Sequence, residues 1–288
     1  MDGKQVLELS ANQYETVYNL LSLAIASLFF SGIYLVLSQR RVLPRYRNAV
    51  VVSSIVVFIA TYHYIRIFDN FKDSYQTQAQ GGRGTYALTN VVFNEGYRYV
   101  DWLLTVPLLL VETVAVLALT ASVQRSLLFK LVPASALMIA LGYPGEISSD
   151  TGTRLVWGTL STIPFLYLLY VLFVELTKSM ERQPADVKST IGKLRLMLIG
   201  LWGVYPIAYL FPALGIDGSN AFVAKQAGYT VADILAKAAF GLVIFKIARV
   251  KSTYDDPDFA VGDSHEDDAK AEPTARGMAG AGARSTGL

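Results

Sequence analysis

Apolar runs of some twenty residues, separated by shorter polar stretches, dominate the chain from Tyr14 to about Ala248. A run of that length suits one helical crossing of a bilayer, because ~20 residues at ~1.5 Å each match the ~30 Å hydrocarbon core. Seven spans are predicted, at about 14–37, 48–68, 95–119, 127–143, 154–176, 196–214 and 220–248. Pro107, Pro133, Pro164 and Pro206 fall inside them, where they predict kinks whose freed backbone groups find partners on neighbouring helices. No internal repeat is visible, which weighs against inverted-repeat transporters. In the polar connection from Asp69 to about Glu95, Gly81-Gly82-Arg83-Gly84 predicts a turn between two short extended pieces. The expected fold is an all-α membrane protein, a seven-transmembrane-helix bundle over residues 14–250 with a short extracellular hairpin between helices 2 and 3. Residues 1–13 form an extracellular N-terminus, and 251–288, acidic and then rich in Ala, Gly and Ser, read as a disordered cytoplasmic tail.

Basic residues set the expected sidedness. They crowd the connections after span one (Arg40, Arg41, Arg45, Arg47) and span five (Lys178, Arg182, Lys188, Lys193, Arg195), with Arg125 after span three. The alternate connections are poorer in them, which places the N-terminus outside the cell and the C-terminus in the cytoplasm. No basic stretch precedes the first apolar run, so that run is expected to stay as an anchor. Composition agrees with a membrane location, at 53% hydrophobic and 17% charged residues. A net charge of +2 offers no case for nucleic acid, and the absence of cysteine excludes thiol catalysis. With only His63 and His265, a histidine-rich metal site is not expected. The expected setting is a homo-oligomer in membrane lipid, with no metal and no nucleic-acid partner.

Charges inside the spans need a reason. Arg98, Asp101, Thr105 and Glu112 are offset by three, four and seven residues, so in a helix they recur along one face that must look into the protein. Asp101 and Glu112 stand eleven residues apart, roughly 16 Å, so a proton passing between them needs an intermediate station. The seventh span places Asp233 and Lys237 one turn apart, with the lysine near mid-membrane and beyond the reach of snorkelling. One reading is a buried ion pair that holds helices together. The other is a desolvated amine able to form an imine with an aldehyde, with Asp101 and Asp233 balancing its proton.

These residues resemble the microbial rhodopsins, seven-helix proteins in which a lysine of the last helix binds retinal as a protonated Schiff base. Arg98-Tyr-Val-Asp101-Trp102 with Thr105 and Glu112 is similar to the third-helix signature of the outward proton pumps, and Asp233 with Lys237 to the seventh-helix signature. Trp202, Tyr205, Pro206 and Tyr209 match the sixth-helix wall of the retinal pocket. The resemblance implies all-trans retinal on Lys237 between Trp102 and Trp202, with Leu109, Met138, Gly142, Ser161 and Gly158 also around it. It further implies Asp101 as counterion and proton acceptor, and Glu112 as a cytoplasmic donor that stays protonated until it is used. Protons would then move outward under light.

Tyr62-His63-Tyr64 resembles the second-helix pattern of the proteorhodopsin and xanthorhodopsin groups, whose histidine pairs with the counterion. His63 and Asp101 lie at similar depths, so a pairing is expected; taken alone, His63 reads as a core histidine. Thr105 taken alone reads as bonding back to its own helix. Gly158 stands where the archaeal pattern has a bulky tryptophan. With Trp157, Ser161, Pro164 and Gly142-Tyr-Pro-Gly-Glu146, it resembles the xanthorhodopsin subgroup, some of whose members bind a carotenoid antenna. Close helix packing is the plainer reading of that glycine. Lys225, eight residues before Asp233, occupies a position where archaeal members carry a proton-releasing glutamate, so prompt release is not expected. A photosensor is the alternative within the family, and a light-independent ion transporter the alternative outside it.

Overall fold

A computed structural model describes residues 8–77, 84–181, 185–257 and 259. A two-residue strand β1 (Glu8–Leu9) leads into α1 (Ala11–Ser38), which Ser10 starts with a reciprocal cap. The Ser10 hydroxyl accepts from the Gln13 amide at 3.3 Å, and the Gln13 side chain accepts from the Ser10 amide at 2.9 Å. A single 3-10 turn, Gln39–Arg41, precedes α2 (Pro44–Ser74), where Pro44 sits in the first turn and sacrifices no helical hydrogen bond. Strands β2 (Tyr75–Thr77) and β3 (Tyr86–Leu88) follow, then α3 (Gly96–Val116), α4 (Ala121–Glu146), α5 (Thr151–Glu181) and α6 (Ala185–Tyr209). The seventh span is continuous but not uniform: α7 (Gly218–Asp233) passes into a π-helical stretch, Ile234–Ala239, and on into α8 (Phe240–Asp255).

The expected hairpin between the second and third spans is present, with Tyr75 opposite Leu88 and Thr77 opposite Tyr86. Its tip, Gly81-Gly82-Arg83, lies outside the described residues. The sheet has a third strand that the sequence did not announce: β1 pairs antiparallel with β3, Leu9 opposite Tyr86. Part of the expected N-terminal segment is therefore built into the fold.

Successive helices are neighbours, and the seventh span packs back against α1, closing the bundle. Among the described residues, six helices are long and apolar enough to cross a membrane. Helix α1 shows how the pattern divides inside from outside. Val17, Leu21, Ala24, Leu28 and Leu35 recur at helical spacing and are buried, while Phe30 and Leu37 on other faces are 66% and 74% exposed. Both faces are apolar because one meets protein and the other meets lipid.

Most helices outrun their expected spans, α2 reaching Ser74 and not 68, α4 starting at Ala121 and not 127, and α6 starting at Ala185 and not 196. Helix α6 stops at Tyr209 and not near residue 214, because a 3-10 turn, Phe211–Leu214, carries Pro212 and is closed by Gly215 at φ +72°. The last helix runs to Asp255, past the expected start of the tail at 251. Lys251 is buried there and donates to the carbonyls of Val116 and Leu117 at 3.2 and 3.0 Å. Residues 258 and 260–288 of the expected tail lie outside the described residues.

Candidate functional site

The charged face of α3 and the charged turn of the seventh span meet in the middle of the bundle. Lys237 Nζ forms an ion pair with Asp101 Oδ2 and lies 3.1 Å from Asp233 Oδ1. None of the three is more than 2% exposed. The lysine falls within the π-helical stretch, a local widening of the helix of a kind frequent at functional sites. Buried ions of this kind persist only when paired and hydrogen-bonded, and the two carboxylates are served unequally. Asp233 accepts from Tyr205 at 2.7 Å, from Tyr64 at 2.7 Å and from the Trp102 indole at 3.1 Å. Asp101 Oδ1 has no hydrogen-bond partner among the described residues.

Arg98 points inward, as expected. Its guanidinium donates to the Tyr64 hydroxyl and to Gln226 Oε1, both at 2.8 Å, and stands 3.9 Å from Asp233. Thr105 is buried beside Asp101 but donates to that residue's backbone carbonyl at 2.8 Å, the local alternative anticipated for it. His63 departs from expectation. It is 7% exposed, yet its Nδ1 bonds to no described residue, and no hydrogen bond joins it to Asp101. Similar depth on two helices leaves the rotation of each side chain free; here Lys237 engages Asp101, while the His63 ring meets Tyr62 edge to face.

Glu112 is fully buried in the other half of α3, and neither carboxyl oxygen has a hydrogen-bond partner among the described residues. An unpartnered carboxyl in such a setting is far better tolerated as the neutral acid than as the anion.

Above the amine lies a cavity of about 500 Å³, within the range of small-molecule sites. Trp102, Leu109, Met138, Gly142, Gly158, Ser161, Trp202, Tyr205, Pro206, Tyr209 and Lys237 all line it. Each was named from the sequence. Tyr99, Val106, Ile139, Thr162 and Tyr229 also line it and were missed. Tyr99 and Val106 stand three and four residues from Trp102 on the same helical face, so that spacing was the available signal. Close contacts shape the walls. Ser161 donates to the Met138 carbonyl at 2.8 Å, and a β-carbon on Gly142 would meet Ser161 and Tyr99 at 3.4 Å. A β-carbon on Gly158 would fall 2.7 Å from the Tyr209 ring, so the glycine makes room for that ring. Leu155, Ile163 and Leu166 line the same cavity and are 45%, 64% and 58% exposed, which carries it out to the lipid-facing side of α5.

Below Arg98 the polar chain continues. Gln226 donates to Glu95 Oε1 at 2.8 Å, and Lys225 bridges Glu95 and Glu146 at 2.8 and 2.9 Å. Arg154 flanks Glu146 at 3.5 Å. Burial would raise the pKa of Glu95, the residue before α3 begins at Gly96, but Lys225 and Arg98 hold it below the ordinary value. Gln226 and Tyr64 were invisible from sequence because neutral polar residues in a span do not demand an explanation as charges do.

Comparison with known proteins places these features in context. The alignment with the bacteriorhodopsin of Haloterrigena sp. (strain arg-4) shows 35% identity over 153 residues, 53% of this chain and 60% of that protein, so the chain spans about three fifths of that relative's length. The green-light absorbing proteorhodopsin of Gamma-proteobacterium EBAC31A08 is 31% identical over 238 residues, covering 80% of this chain and 86% of the relative. The structure of xanthorhodopsin, described as a light-driven ion pump with dual chromophore, superposes with a TM-score of 0.82 at 45% identity, over 87% of this chain and 99% of that one. The family model described as bacteriorhodopsin-like protein matches residues 15–250, and with the buried lysine, its carboxylates and the cavity above them, this chain belongs to that family of multi-pass membrane proteins.

Proposed function

We propose that this chain is a light-driven outward proton pump that carries all-trans retinal covalently on Lys237. The observation that carries the reading is a buried primary amine, paired with two carboxylates, in the wall of a cavity that Trp102, Trp202, Tyr205 and Tyr209 also line. The residues fit the group: Trp102 and Trp202 offer flat faces to a polyene, and Lys237 Nζ is the nucleophile an aldehyde requires. Retinal supplies the absorption of visible light and a change of shape on isomerisation.

The chain's own residues supply the proton path. A proton at Lys237 Nζ is directly against Asp101 Oδ2. Asp233 is fixed as an anion by three donors, whereas Asp101 has one unengaged oxygen, so Asp101 is the acceptor. Arg98, Gln226, Glu95, Lys225 and Glu146 continue from there toward the hairpin end of the bundle. Glu112 stands toward the opposite end, eleven residues from Asp101, and returns a proton to Nζ from that side. The basic connections support an outside position for the hairpin end, and with it outward transport. His63, near enough to Lys237 to feel its charge, acts on the ion pair through space and not through a hydrogen bond to Asp101.

The reach of the cavity past Gly158 to the exposed side of α5 supports a second chromophore, a carotenoid lying there as an antenna. The test is direct. Retinal added to the purified protein should give a coloured pigment, and illuminated cells should acidify their medium, with the signal abolished by a protonophore. Absence of colour overturns the retinal reading. Colour without acidification leaves a photosensor.

A further inference from the structure

A second groove, of about 810 Å³, lies away from the retinal site on the outer face between α1 and α8. Tyr34, Leu242 and Phe245 line its apolar part, and Tyr34 meets Phe245 edge to face at 5.8 Å. Lys246 and Arg249 line it too, with Ser31, Val250 and Thr253. Tyr34 and Leu242 are 44% and 40% exposed in a bundle whose outer surface meets lipid, and Lys246 is exposed as well.

Depth separates the two parts. Lys246 and Arg249 are nine and twelve residues beyond Lys237, about 13 and 18 Å along the helix. With Lys237 near mid-membrane, those distances bracket the edge of a hydrocarbon core ~30 Å thick. Tyr34 lies four residues before the end of α1, about 6 Å inside it. The cations are therefore at phosphate level, Leu242, five residues beyond Lys237 and about 8 Å along the helix, is at acyl level, and Phe245 stands at the boundary between them. A lysine and an arginine one turn apart, above a trough walled by aromatic and branched side chains, match an anionic headgroup and its attached chain. An evenly spread basic belt would supply the charges without the trough.

We propose that this groove binds one anionic phospholipid, its phosphate between Lys246 and Arg249 and an acyl chain along Tyr34, Leu242 and Phe245. The inference depends on the chain lying in a bilayer and is independent of the pumping reading.

The experiment uses the full chain, purified in mild detergent and exposed to equimolar phosphatidylglycerol and phosphatidylcholine, with retained lipid weighed by native mass spectrometry. One phosphatidylglycerol should be retained in roughly thirty-fold preference, the scale expected of two cations at an anionic headgroup. Lys246→Gln/Arg249→Gln should abolish the preference, and Leu242→Trp, which fills the trough without changing charge, should lower retention. Arg40→Gln/Arg41→Gln, outside the groove, should leave it unchanged. Unaltered helical circular dichroism and thermal midpoint certify each variant as folded. Equal retention of the two lipids, preference surviving in the Lys246/Arg249 variant, or equal loss in the Arg40/Arg41 variant would overturn the site. So would a preference that appears only after removal of residues 260–288, since the acidic tail would then be the occupant.

Discussion

Asp101 and Asp233 are chemically identical carboxylates on either side of one amine, and their neighbours give them different work. Three donors hold Asp233, while Asp101 keeps one oxygen without a partner. Asp101→Asn should therefore still take up retinal, absorb further to the red and stop acidifying the medium; continued light-driven acidification would contradict the assignment. Glu112 is buried and bonded to no described residue, so Glu112→Gln should slow the late, proton-returning phase by at least ten-fold, with added azide restoring it. Unchanged decay in a flash-photolysis trace would remove Glu112 from the path. His63→Ala should move the pH at which the pigment changes colour, although His63 makes no hydrogen bond to Asp101. An unmoved titration curve would leave it a core residue.

At the level of elements, the seventh span does two jobs that its sequence shows unequally. Lys237 stands out because an amine in an apolar run demands an explanation, yet the π-helical stretch around it has no composition of its own and emerges only from packing. Farther along, Lys251 supplies donors to two carbonyls at the end of α3, one of which would otherwise be an unsatisfied helix terminus. Lys251→Met should cost about 1–3 kcal/mol, read as a lower thermal bleaching midpoint. At the opposite end, Glu95 ties α3 to the seventh span through Lys225 and Gln226. Its folded pKa lies below the ordinary 4.5, so its contribution is complete above that value and is lost as pH falls through the lower folded one. Acid unfolding of the native protein should therefore be steeper than that of Glu95→Gln; identical profiles would show that the bridge carries no stability.

For the whole molecule, the legible part was what membranes make costly. Seven apolar runs, the track from Arg98 to Glu112 and the Asp233–Lys237 turn each violate or satisfy a strong rule, so the bundle and the centre of its site could be read directly. Strand β1 could not, since two residues become a strand only when β3 lies beside them. Nor could the orientation of His63, or the helical start of the presumed tail, where residue composition blurs over the few positions from Lys251 to Asp255. Sidedness is the remaining property of the whole chain, and the direction of the proposed transport depends on it. The natural absence of cysteine makes it measurable, because any introduced thiol is unique. Gln76, exposed in β2, and Tyr254, 67% exposed near the end of α8, lie at opposite ends of the bundle. In intact cells a membrane-impermeant maleimide should label Gln76→Cys fully and Tyr254→Cys only after permeabilisation. The reverse pattern would place Glu112 on the outer side of Lys237 and turn the same residues into an inward path, which the sign of the light-induced pH change would report independently.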